Sequence, residues 1–467
     1  MWFRRDLRVA DNEALLAASA EGAAVVALFV IDDRLVGGPR MSATRLAYLR
    51  AALRNLDAAL QDRGSSLLIR RGDPREVVPA AARSAGAEAV CWSADHSPYA
   101  ARRDAAVRAA LRDAGIAAHS FGGVTVHEPG TVLTAAGTPF KVFSPFRRAW
   151  WEQPRRPALP APQRIVATSE QDTDAAPAGM EALLSGLPAA AASSGWPHAG
   201  EAAAHQRLTA FLAEDADTYA QRRDRLDAAG TSRLSAALHF GCLSPQQIFD
   251  RLEAGNAGHE AFATELVWRE FALHVLAAWP QVAHREFDPA YRALPWHRDS
   301  AHVEAWRRGE TGVPIVDAGM RQLLAEGWMH NRARMIVASF LCKHLLVDWR
   351  LGEAHFLRHL VDGDWASNNL GWQWAAGTGT DAQPYFRMFN PARQGARHDP
   401  DGTFVRRYVP ELTAVPDRWI HAPWTMPDEE QRTCGVRIGR DYPAPLVDHD
   451  TARAEAQAWF ARHRRPR

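Results

Sequence analysis

Short apolar runs alternate with helical repeats over the first 125 residues of the chain. AAVVALFVID (23–32), SLLIRR (66–71), AEAVCWS (87–93) and IAAHSF (116–121) are β-forming runs bounded by turn residues, and each predicts a strand. Between the first two, Leu46, Leu49, Leu53, Leu56 and Leu60 recur at three- and four-residue steps, which predicts one apolar face on a helix over 41–63. Asp73-Pro74 with Glu76, and Ser97-Pro98, each put a capping side chain before a proline suited to the first helical position. Gly22, Gly64, Gly86 and Gly115 follow helical stretches, where a left-handed closing residue is favoured. Repeated strand–helix units predict an α/β N-terminal domain with a Rossmann-like, doubly wound parallel sheet. No GxGxxG turn opens it, so an ordinary dinucleotide site is not expected there. MWFRRDLR leaves room for only about three strand residues before a polar turn, as though the start codon were placed late.

From 152 to 200 the pattern dissolves into Pro, Ala, Ser and Gln (EQPRRPALPAPQ, then LPAAAASSGWP), the composition of a connection running over a surface. Beyond 201 strand patterns stop, and long helical patterns such as 258–279 and 314–347 predict a mostly α-helical C-terminal domain. The expected division is 1–127, a connection over 128–200, and 201–467. A chain of 467 residues exceeds what one core usually supports.

Composition narrows the function classes. With 47% hydrophobic and 23% charged residues the chain reads as a soluble globular protein. A net charge of +1 argues against a generally basic coat but leaves room for a local basic groove. The cations are 53 Arg against 2 Lys, and arginine brings bidentate recognition of phosphate wherever such a groove exists. Four cysteines without a CxxC pair, no signal peptide and no long apolar run predict a cytoplasmic protein with no membrane partner. His330, His344, His355 and His359 are too scattered to make a metal site, and no nucleophile elbow appears.

Five stretches depart from ordinary helix composition: YAQRRD (219–224), GTSRLSAALHFG (230–241), TELVWREF (264–271), GWMHNRARM (327–335) and a long segment over 362–391. That segment opens DGDWASNNLGWQW, with three tryptophans among carboxylates and amides. In GTSRLS, hydroxyls, backbone amides and Arg233 gather at a predicted helix start, a set able to hold phosphate; a plain N-cap is the alternative. Glu265, Trp268 and Arg269 share a helix face and together suit a planar heterocycle; an Arg–Glu pair beside a core tryptophan is the alternative. Arg334 calls for a buried carboxylate, which Asp362 or Asp364 would supply. Planar stacking, amide hydrogen bonds and phosphate handling are all present, whereas hydrolytic machinery is not.

These stretches, in order with WFRRDLR and DN (2–12) and TGVPIVDAGMRQL (311–323), resemble the DNA photolyase/cryptochrome family from residue 2 to about 450, closest to its bacterial class I cyclobutane pyrimidine dimer photolyases. The resemblance implies FAD held in the helical domain. Tyr219, Thr231, Ser232, Arg233, Leu234 and Ser235 would take its phosphates and sugar. Asn331, Arg334 paired with Asp362, Asp364, and Asn368 facing the reactive nitrogen would surround its ring, so that the amides and carboxylates of 362–374 form one wall. Trp372, Trp349 and Trp296, in that order outward to the surface, would relay electrons to the photoexcited flavin.

On the substrate side the implied partner is UV-damaged DNA. A flipped-out dimer would meet Glu265 on its pyrimidine edges, Trp268 and Trp374 as apolar walls, and Met335 beside it. Arg223, Arg332 and Arg387 would meet the flanking phosphates. LFVID, MSATR and WSADHSPY resemble deazaflavin-binding more than methenyltetrahydrofolate-binding members, which makes Ile31, Asp32, Arg45 and Asp95 candidate antenna contacts; ordinary loop and cap roles are the alternative. Trp365 and Leu370 depart from the smaller residues common in the family segment, and local repacking is expected. The implied activity is light-driven repair by a monomer. The rival is a blue-light receptor without repair, against which stand Glu265, Trp268, Met335 and helical patterning that runs to the end of the chain.

Overall fold

The computed structural model describes residues 1–168, 182–184, 199–298, 300–382, 384 and 387–463. The LPAAAASSGWP part of the connection, and Gln383, Tyr385 and Phe386 of the 362–391 segment, lie outside the described residues. Two compact units emerge. The first comprises Met1–Ala220, Ser232–Ala283 and Val361–Ala366; the second comprises Gln221–Thr231, His284–Leu360 and Ser367–Arg467.

Among the described residues the first unit carries seven short strands: β1 (Trp2–Phe3), β2 (Ala24–Val25), β3 (Ala27–Ile31), β4 (Leu67–Arg71), β5 (Ala89–Ser93), β6 (Ala117–Phe121) and β7 (Val166–Ala167). All their pairings are parallel, in sheets ordered β1-β3-β4, β5-β6 and β2-β7. Parallel neighbours need crossovers. α1 (Ala43–Gln61), capped by Ser42, crosses from β3 to β4; α2 (Pro74–Ser84), capped as expected by Asp73, joins β4 to β5, which lie in different sheets; and α3 (Pro98–Asp113), capped as expected by Ser97, crosses from β5 to β6. The apolar stripe of α1 buries Leu46, Leu53, Leu56 and Leu60, with Leu49 half-buried. The 23–32 run serves two sheets, because β2 pairs with β7 while β3 sits between β1 and β4. A core of Trp2, Leu28, Val30, Val78, Val90, Trp92 and Val107 fills the layer beside the sheet.

Among the further helices of that unit are α4 (Ser235–Phe240) and α5 (Ala257–Ala278). Gly241, just past α4, is left-handed at φ 68°, and a Cβ there would fall 1.9 Å from the Arg5 carbonyl oxygen, so only glycine lets the two backbones meet. Buried Arg8 fastens the same contact, donating to the carbonyls of Asp11, Gly123 and Gly241.

The second unit is helical, with α6 (Pro314–Glu326), α7 (Asn331–Ser339), α8 (Trp349–His359), most of α9 (Trp365–Ala376) and α10 (His449–His463). No strand follows β7 among the described residues. The continuous helix expected over 314–347 is broken. Gly327 closes α6 at φ 64°, and His330 then caps α7 by accepting from the Arg332 amide. A single π-turn, Phe340–His344, ends the run. The core around these helices holds Trp306, Trp349, Trp372, Phe340, Phe356 and Phe404, with Trp296 and Trp374 packed against it. Among the described residues, no helix is long and apolar enough to cross a membrane.

Candidate functional site

The GTSRLS segment does not form a plain cap. Leu234 stands at the N-cap of α4 and offers no capping side chain, while Ser232 Oγ accepts only a long 3.4 Å bond from the Leu234 amide. Arg233 is left-handed at φ 52°, a conformation costing a non-glycine residue about 1–2 kcal/mol and concentrated where chains clamp ligands. The Ser235 hydroxyl is buried without a hydrogen-bond partner among the described residues. An orphaned hydroxyl beside a strained turn is what a phosphate or sugar ligand would satisfy. Nearby, Arg207 Nε donates to the Ser232 carbonyl at 2.8 Å, and Tyr219 is buried edge-on against Phe211 and Phe262.

Within the first unit, Asp364 takes a partner absent from the sequence expectation. Arg5 Nη2 donates to Asp364 Oδ2 at 2.7 Å, and Asp95 lies 3.8 Å from the same guanidinium. Burial works against the Arg5 charge, but Asp364 and Asp95 outweigh it and raise the Arg5 pKa. Asp95 is likewise held below the ordinary carboxylate range: burial opposes this, and Arg5, Arg4 and Arg103 override it. Arg45 is buried close enough to Asp362 and Asp364 to feel both, and burial brings its pKa down to about 10 despite them. Desolvation, then Arg5 and Arg45, hold His239 well below its usual pKa, so it stays neutral. Two residues offered as antenna contacts, Arg45 and Asp95, thus gather around Asp364. Of the others, Ile31 is buried at the end of β3, and Asp32 caps a short helix through the Arg34 amide and accepts from the Tyr99 hydroxyl.

On α5 the expected trio separates. Trp268 lies flat on Phe143, with ring centroids 3.5 Å apart and planes 9° from parallel, and Glu265 is half-buried. Arg269 instead donates to the backbone carbonyls of Val124 and Leu238, so it braces the unit and does not stack a heterocycle.

In the second unit, Asn368 donates its amide NH2 to the Glu353 carbonyl at 3.1 Å, committing the nitrogen and not the oxygen. Asn369 and Gln373 correct the idea that every amide of 362–374 lines one wall. Asn369 donates to Glu353 Oε1, and Gln373 bonds Asn369, the Arg285 carbonyl and the Phe287 amide, forming a buried brace. Arg334 Nε donates to the Met329 carbonyl at 2.8 Å, and Asn331 Nδ2 approaches Met335 Sδ at 3.9 Å. Arg332 pairs with Asp224 at 2.7 Å, and Arg223 is half-buried. Arg387 is exposed while its carbonyl accepts from buried Lys343 at 2.7 Å. Trp374 is half-buried with Phe389 at 6.5 Å. Trp365, the departure noted in the sequence, lies in the first unit under the Arg40 guanidinium, 4.6 Å from its ring centroid.

The three tryptophans expected to relay electrons all belong to, or pack against, the core of the second unit. Trp372 sits edge-on to Phe356 and Trp306, and a Cβ on Gly352 would fall 2.1 Å from its ring, so that glycine makes its seat. Trp349 donates its Nε1 to Glu286 at 3.3 Å under the Arg350 guanidinium. Trp296 is half-buried beside Trp459, a residue that sequence reasoning had left as ordinary helix patterning.

Residues 1–163 match the family model described as DNA photolyase, and 262–462 match the one described as the FAD binding domain of DNA photolyase. A deoxyribodipyrimidine photo-lyase of Halobacterium salinarum is 42% identical, covering 99% of this chain and 98% of its own. The class III photolyase of Agrobacterium tumefaciens superposes with a TM-score of 0.89 at 38% identity, over 99% of this chain and 96% of its own. A Synechocystis cryptochrome reaches the same TM-score of 0.89 at 30% identity, over 98% of each chain. With both halves matched and full-length identity at this level, the chain belongs to the DNA photolyase family.

Proposed function

We propose that this chain is a light-driven deoxyribodipyrimidine photo-lyase, which binds DNA carrying a cyclobutane pyrimidine dimer and uses FAD to split it. The observation that carries this is 42% identity across 99% of the chain with a relative of that name. Fold alone does not separate repair from light sensing, since the photolyase and the cryptochrome superpose equally well.

The residues fit a flavin dinucleotide. The orphaned Ser235 hydroxyl and the left-handed turn at Arg233 suit a phosphate–sugar ligand, so Tyr219, Thr231, Ser232, Arg233, Leu234 and Ser235 would hold that part. Asn331, Arg334, Asp362, Asp364 and Asn368 would surround the ring. FAD bound there would supply the chemistry of light-driven one-electron donation to the dimer, with return of the electron after ring opening. Asn368, its NH2 already committed to Glu353, offers a carbonyl acceptor to a protonated ring nitrogen. Arg5 and Arg45 balance the buried Asp362 and Asp364 carboxylates and hold them in place.

A dimer inside a duplex must leave the stack to reach such a site, and flipping costs least for a damaged pair. Trp268, backed on one face by Phe143, and Trp374 form apolar walls that exclude water from it. Met335 fills the space beside it. Glu265 hydrogen-bonds the pyrimidine edges, and Arg223, Arg332 and Arg387 take flanking phosphates. Trp372, Trp349 and Trp296 would pass electrons inward toward the flavin. For the antenna we favour a deazaflavin over methenyltetrahydrofolate, with Ile31 and Asp32 as contacts and Arg45 and Asp95 reassigned to the support of Asp364; the absorption spectrum of the acid-extracted chromophore tests this. One lesion needs one active site, and the proposed form is a cytoplasmic monomer.

The deciding experiment is blue-light irradiation of an oligonucleotide carrying one cyclobutane thymine dimer, with reductant and a dark control. Light-dependent return of intact thymines is expected. Absence of repair with reduced flavin present and the dimer bound would leave the light-receptor function.

A further inference from the structure

We propose that Trp459 is the outermost member of the tryptophan relay, taking the oxidising equivalent from Trp296 and releasing its proton to solvent. This rests on the relay assigned to Trp372, Trp349 and Trp296. The rings of Trp296 and Trp459 lie 5.1 Å apart, centroid to centroid, with planes inclined at 43°. Electron transfer falls off steeply with distance, so neighbours this close exchange an electron readily. Phe460, the other ring against both, sits 6.0 Å from Trp296 and 4.9 Å from Trp459, and a phenyl ring is far harder to oxidise than an indole.

The indole nitrogens give the direction. An oxidised indole is a far stronger acid than a neutral one, and loss of its N–H proton traps the charge outside. Trp296 Nε1 is buried and has no hydrogen-bond partner among the described residues, so a proton there has no acceptor. Trp459 is half-exposed, about one turn before the C-terminus of α10, where the carbonyl end of the helix favours positive charge. The hole therefore gains by moving outward one step.

The step balances as a one-electron exchange. Trp296, oxidised after its own electron has passed inward through Trp349 and Trp372, regains an electron from Trp459. Trp459 becomes the radical cation, gives its Nε1 proton to water and remains as a neutral radical. A thiol in solution then donates an electron and a proton, which restores the indole.

Three measurements test this. In the flavin-free chain, the paired indoles should give an exciton couplet in far-ultraviolet circular dichroism that is lost in both Trp459→Phe and Trp296→Phe. In the holoenzyme, flash photolysis should show a long-lived neutral tryptophan radical in the wild type, and Trp459→Phe should lose that phase while keeping the first, fast oxidation. Trp296→Phe should lose it too. If Trp459→Phe retains the long-lived radical while Trp296→Phe loses it, Trp459 is outside the relay and the three-member relay stands. If both variants retain it, the relay itself is wrong. Peptide mapping of wild-type holoenzyme illuminated without thiol needs no variant: oxidation products should concentrate on Trp459, and their concentration on Trp296 instead would overturn the proposal.

Discussion

Arg5 and Asp364 stand 359 residues apart in sequence and 2.7 Å apart in space. The ion pair ties the segment that follows β1 to the loop that opens α9, within one compact unit. Removing one partner of a buried pair leaves the other charge uncompensated, at a cost of about 3 kcal/mol. Arg5→Met should therefore lower the urea midpoint and the flavin retained through gel filtration. Arg5→Met with Asp364→Asn should be more stable than Arg5→Met alone, because Asp364 then carries no orphan charge. An unchanged midpoint in the single variant would mean that the pair is not an anchor.

Trp296→Phe should slow photoreduction of the flavin, since a phenyl ring does not replace an indole in the relay. Dithionite bypasses the relay, so chemically reduced variant should recover repair. Absorbance of the reduced flavin under steady illumination, followed by a repair assay on both preparations, separates the two effects. Equal photoreduction in wild type and variant would remove Trp296 from the path.

The local elements were legible in the chain because their signals are local. Asp73 and Ser97 cap where a cap precedes proline, and the leucine stripe of α1 is buried along most of its length. Where the expectation failed, a distant partner decided. The exception is local: the pattern over 314–347 reads as one helix, but Gly327 and the His330 cap within it split it. Arg269 shares a helix face with Glu265 yet spends its donors on carbonyls near residues 124 and 238. Asn369 and Gln373 look like cofactor ligands by composition, and only the Glu353 and Phe287 contacts reveal a brace. Arg5 and Trp459 were missed for the same reason: neither has a neighbour in sequence that hints at Asp364 or Trp296.

His355 should make the second unit acid-sensitive. Burial, then His359 and two arginines, press its pKa down to about 3. An unfolded histidine titrates near 6.5, so below that pH the unfolded chain takes up a proton that the folded one refuses. Stability from this group is thus complete above about pH 6.5 and falls as pH drops toward 3, by about 2 kcal/mol at pH 5. His355→Leu should flatten the decline in urea midpoint between pH 7 and pH 5. A variant that declines as steeply as wild type would place the sensitivity elsewhere.

In the proposed role, Arg332 would reach a flanking phosphate only at the expense of its 2.7 Å pair with Asp224. If Arg223, Arg332 and Arg387 each neutralise one phosphate, the logarithm of affinity should fall with the logarithm of salt at a slope of about −0.9 per contact, near −2.7 together. Arg387→Ala should reduce that slope by about 0.9 without changing discrimination between damaged and intact DNA. Asp224→Asn, which frees Arg332, should tighten binding. A slope unaffected by Arg387→Ala would exclude that residue from the phosphate contacts.

In the proposed role, a hydrogen bond from Glu265 to the pyrimidine edges would decide whether the captured electron is used before it is lost. The dimer radical anion either splits or returns its electron unproductively, so repair yield is a ratio of two rates. A hydrogen bond to a charged species contributes about 1.5–3 kcal/mol, enough to change such a ratio by about tenfold or more. Glu265→Ala should lower the yield per absorbed photon while leaving flavin content unchanged. Glu265→Gln keeps an N–H donor and should fall between the two. Dimer binding measured alongside separates lost capture from slowed splitting, because only the second leaves affinity intact while yield drops. Alanine and wild type giving equal yields would show that the pyrimidine edges are stabilised by another group.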